Sequence, residues 1–106
     1  MSLEALIVQF KTDGSATDFD RLVQIEGVLI QSFSQNGKAE IDGHDLGSGT
    51  MNIFVIPKGS WSAVIEIVKA HLKHRGVLKD ATIAKRGKCG SYAVVWPTDF
   101  RGDFQP

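Results

Sequence analysis

The chain has 106 residues, 42% hydrophobic and 23% charged, enough for one hydrophobic core without metal or disulfide staples. Twelve Lys and Arg balance twelve Asp and Glu, so the broad positive field that draws proteins to nucleic acid or anionic membrane is missing. Cys89 is the single cysteine, no apolar run approaches the roughly 20 residues of a membrane helix, and no leader-like segment is evident. A cytoplasmic protein with neither a nucleic-acid nor a membrane partner is therefore expected.

Residues 3–10 read as a strand, with Leu6, Val8 and Phe10 on one side and Ala5 and Ile7 on the other. After a turn at Gly14-Ser15, Thr17 is the expected N-cap, with Asp20 three residues on. Phe19, Leu22, Val23, Leu29, Ile30 and Phe33 then follow at helical spacing, and Gly27 suggests a close approach to the sheet. Asn36-Gly37 ends this helix.

Residues 38–42 form a short predicted strand, 43–49 a loop, and 50–56 an apolar strand broken by Pro57. Ser60 caps a second helix over 61–75, whose buried stripe is Trp61, Val64, Ile65, Val68 and Leu72. Residues 81–86 and 91–96 read either as two strands joined by a Gly-containing turn or as one strand with a bulge. This order predicts an α+β domain: a ferredoxin-like βαββαβ sandwich over residues 1–97, with an antiparallel sheet and two helices on one face. Residues 98–106 are a C-terminal tail.

Three of the strands are apolar on both sides, for example Met51, Ile53 and Val55 against Phe54 and Ile56. The sheet face without helices therefore needs a cover. Either a homodimer forms through the open face, or the tail folds back to lay Phe100 and Phe104 across it.

The segment from Asp42 to Asn52 holds three glycines, two aspartates and a histidine. If the chain is extended at Asp42, then Asp42 and His44 share a side. Asp42 is then placed to orient His44 as a base, or both to contact a cation. The plainer reading is a long turn in which Asp42 and Asp45 cap backbone N–H groups. A phosphate cradle is disfavoured because a strand, not a helix N-terminus, follows. Asn52 is the lone polar residue of its strand and is expected to pin the loop through backbone hydrogen bonds. His71 and His74 have metal-ligand spacing but no evident third ligand. The expected binding residues are thus Asp42, His44, Asp45, Ser48 and Asn52, with no metal and no cofactor.

The string Asp42-Gly43-His44-Asp45, then Gly47-Ser48-Gly49, Asn52-Ile53-Phe54 and a distal Val95-Trp96-Pro97, resembles small bacterial ferredoxin-like proteins of unassigned function. The resemblance implies the fold and no activity. Function is expected to be a non-enzymatic binding or protein-interaction module using the acidic, Gly-rich 42–52 segment. One version neutralises a bacterial toxin through its basic residues. The alternative is a small dimeric enzyme or ligand-binding protein with Asp42, His44 and Asp45 lining a pocket.

Overall fold

The computed structural model describes residues 4–47 and 49–106. In chain order these form β1 (Ala5–Lys11), α1 (Ala16–Asn36), β2 (Ala39–Gly47), β3 (Thr50–Pro57) and α2 (Trp61–His74). A 3-10 turn (Leu78–Asp80), β4 (Ala81–Arg86) and β5 (Tyr92–Trp96) complete them. The strands make one antiparallel sheet in the order β2-β3-β1-β4-β5. The α+β class agrees with the sequence reading, but the sheet has five strands where βαββαβ has four. The extra strand arises because residues 81–96 form a hairpin. Gly90 takes φ +81, and Gly87 N–H donates to the Ser91 carbonyl at 2.9 Å, which closes the turn.

Both helices cover one face. Leu6, Val8, Phe10, Met51, Ile53 and Val55 of the sheet meet Leu22, Ile25, Leu29 and Phe33 of α1 and Val64, Val68 and Leu72 of α2. Burial of each such large side chain contributes about 1.5–3 kcal/mol. Helix α1 starts earlier than expected: Ser15, not Thr17, is its N-cap and accepts from Asp18 N–H at 3.1 Å. The Ser/Thr-x-x-Asp spacing occurs twice in this region, at Ser15–Asp18 and Thr17–Asp20, and the earlier instance wins because Asp18 also accepts from the Thr12 hydroxyl and Asp13 N–H.

Several expected core residues are not core. Phe19, Val23 and Ile30 are 39%, 42% and 48% exposed, because α1 carries two apolar stripes and only the one through Leu22, Ile25 and Leu29 faces the sheet. Trp61 is half-buried, with the Lys85 ammonium 4.7 Å from its ring centroid. A Cβ added at Gly27 meets nothing within 4 Å, so no close approach occurs there.

The expected 43–49 loop is mostly strand. β2 runs on to Gly47 and pairs with β3 throughout, with one irregularity between Ile41 and His44. Gly43, at φ +100, supplies the backbone freedom for that bulge. On the face away from the helices, Phe104 is buried against Ile7 and Ala84, with Phe54, Val94 and Phe100 packed around them. The Tyr92 ring lies 5.4 Å from that of Phe104. The tail therefore covers part of the face for which a second subunit was the other expected cover. Among the described residues, no helix is long and apolar enough to cross a membrane.

Candidate functional site

The bulge decides where the acidic segment points. Ile41 pairs with Val55 and His44 with Ile53, so two residues of β2, Asp42 and Gly43, stand opposite one of β3, Phe54. The extra residue moves His44 to the helix-facing side. There its Nδ1 lies 3.0 Å from both carboxylate oxygens of Glu26 on α1. Glu26 is only 9% exposed, so this contact gives a buried carboxylate its partner. The Phe19 ring meets His44 edge-on at 5.9 Å.

Asp45 points the other way. It pairs in register with Asn52, and Asn52 Nδ2 donates to Asp45 Oδ1 at 2.9 Å. Asn52 is fully buried and its Oδ1 accepts from Gln9 Nε2 at 3.1 Å. Gln9 Nε2 also donates to the carbonyl of Gln105 in the tail at 2.6 Å. Asn52 thus binds side chains, not the loop backbone, and links β2 and β1 to the tail.

Asp42 sits in the bulge and lines a cleft of about 420 Å³ with Ile30, Ser34, Ile41 and Lys58. The expected trio therefore separates: Asp42 at the edge cleft, His44 against α1, and Asp45 on the tail side. Ser48 lies outside the described residues. Sequence reasoning missed Glu26, Phe19 and Gln9. Glu26 did leave a signal: it falls seven residues after Phe19 and four before Ile30, an acid within an apolar helical stripe.

A different feature emerges at the same edge. Phe19, Val23 and Ile30 lie at i, i+4 and i+11 on α1, and Leu46 of β2 is 56% exposed. Phe19 and Leu46 share the lining of a cavity of about 230 Å³ beside the Thr12–Ser15 turn. Four of the five large exposed apolar side chains among the described residues thus lie along α1 and β2, the fifth being Tyr92. Asp42 lines the cleft beside Ile30 and Asp18 adjoins Phe19 in the first turn of α1, whereas Glu40 pairs with Lys58 at 3.2 Å and Asp45 faces the tail side.

In the neighbouring turn, hydrogen bonds from Ser15, from the side chain first and then the backbone, hold the Asp13 carboxyl below its ordinary value. His71 Nε2 lies 3.0 Å from Ser32 Oγ between the helices. No cluster of three or more His, Cys, Asp or Glu suited to a metal occurs among the described residues. No protein-family model, curated protein or solved structure matches the chain.

Proposed function

We propose that this chain is a non-enzymatic interaction module that docks a basic partner protein on the α1/β2 shoulder. The observation that supports this most is the exposed stripe of Phe19, Val23 and Ile30 beside Leu46, with Asp42 lining the cleft at its Ile30 end and Asp18 next to Phe19 at the other. Apolar area supplies affinity and the acidic border selects a cationic partner. A basic toxin neutralised by this domain is one such partner. A second copy fits the shoulder less well, because Glu40, Asp42 and Asp45 of an edge strand would face their own like charges. The reading as an enzyme needs Asp42, His44 and Asp45 around one mouth, which the bulge works against. We also propose that the fold is of the ferredoxin-like kind, with β5 appended beside β4.

A synthetic peptide of alternating lysine and valine is a suitable probe. Its NMR titration should shift α1 and β2 amides saturably, and salt should weaken it. The double variant Ile30→Lys, Leu46→Lys should abolish those shifts while leaving the fold intact. Shifts confined to other surfaces would refute the shoulder as the docking site. A dimer in sedimentation that the same double variant dissociates would assign the shoulder to a second copy instead.

A further inference from the structure

A cleft at one end of the sheet gathers cations that the shoulder does not use. Gln9 and Lys11 of β1, Arg21 of α1, Lys79 and Asp80 of the 3-10 turn, and Thr82 of β4 line a space of about 540 Å³. This volume falls in the range of small-molecule sites. Three separate elements bring Lys11, Arg21 and Lys79 together. None of the three forms an ion pair among the described residues. Arg21 Nε is shut off from solvent and has no hydrogen-bond partner. Buried N–H groups are nearly always paired, so the Arg21 guanidinium lacks the internal acceptor that would otherwise hold it.

We propose that this cleft binds the phosphate group of a small phosphorylated molecule. Lys11, Arg21 and Lys79 against Asp80 leave a formal charge of +2 around the cleft. A phosphate monoester carries about −1.5 to −2 near neutral pH, whereas one carboxylate carries half of that. Arg21 offers the planar fork that suits two phosphate oxygens, and the two lysines act as point charges. The Thr82 hydroxyl is a further donor at the same wall. The inference is independent of the shoulder, which lies along the outer stripe of α1 and the β2 edge.

The test is NMR detection of the Arg21 Nε–H signal, assigned by its loss in Arg21→Gln, at constant ionic strength. Inorganic phosphate should shift it saturably, and phenyl phosphate should bind at least as tightly. Lys79→Gln and Lys11→Gln should each weaken binding about tenfold, the size of one charge-assisted hydrogen bond. Lys73→Gln, on the exposed side of α2, should not. Binding should weaken as the pH falls below about 6, where phosphate takes up its second proton. The proposal is overturned if the shift does not saturate, or if both lysine variants bind like the parent. It is also overturned if phenyl phosphate is excluded, or if acetate competes as well as phosphate.

Discussion

Asn52 is fully buried with an amide that both donates to Asp45 and accepts from Gln9. Asn52→Leu leaves those partners without their bonds, so a denaturant melt should show a loss of about 1–3 kcal/mol. Asp45→Asn keeps an acceptor for the amide and should shift the melt far less. His44→Ala strands the Glu26 carboxylate, whose side chain is 11% exposed. It should also cost about 1–3 kcal/mol, and the further change Glu26→Gln should recover part of that loss. Asp13 has a lowered pKa in the fold, from an ordinary 3.8. Its contribution is therefore present above that pH and disappears as the pH falls through the lowered value. Acid titration of Asp13→Asn should show a shallower loss of stability in that window, and an unchanged slope would show that the Ser15 contacts do not persist in solution.

At the scale of elements, two glycines are expected to respond in opposite directions. Gly27 lies inside α1 with open space where a Cβ would stand. Gly27→Ala should stabilise the domain by about 1 kcal/mol, read as a later thermal melt. Gly43 holds the β2 bulge at φ +100, also with open space around it. Gly43→Ala should cost about 1–3 kcal/mol for conformational reasons alone, and it should disturb the His44–Glu26 contact that depends on the bulge. The helix periodicities were legible in the sequence, but which of two apolar stripes on α1 would face inward was not. Phe19 and Leu22 are equally apolar; only docking on β1 and β3 separates them. Trp61 illustrates the same limit, since it heads the α2 stripe in sequence yet packs half-exposed beneath Lys85.

Across the whole molecule, the neutral chain is polarised. α1 and β2 carry Asp18, Asp20, Glu26, Glu40, Asp42 and Asp45 against Arg21 alone. From α2 to β5 the chain carries Lys69, Lys73, Arg75, Lys79, Lys85, Arg86 and Lys88 against Glu66 and Asp80. Because β2 and β5 are opposite edges of the sheet, these halves give an acidic edge and a basic edge, fields that salt screens beyond about 10 Å at 0.1 M. The tail completes the molecule: Phe104 is 8% exposed over Ile7 and Ala84. Phe104→Ala should destabilise by about 2–4 kcal/mol, somewhat less than a fully enclosed phenylalanine. Removal of residues 98–106 should make the protein associate in light scattering; a truncated chain that stays monomeric would show that the face tolerates water.

The sequence by itself determined the α+β class, the order of the first five elements, the second helix cap and the polar, glycine-bearing character of residues 42–52. These follow from local physics: periodicity, capping and the positive φ that glycine permits. Tertiary structure decided the rest. One bulged residue in β2 reversed the side on which His44 lies, because strand faces alternate with a period of two. Long-range packing decided that Phe104 covers part of the open face. It also brought Glu26 to His44 across 18 positions of sequence and gathered Lys11, Arg21 and Lys79 in one cleft. No spacing rule encodes such meetings, since they depend on how crossovers bring distant elements together.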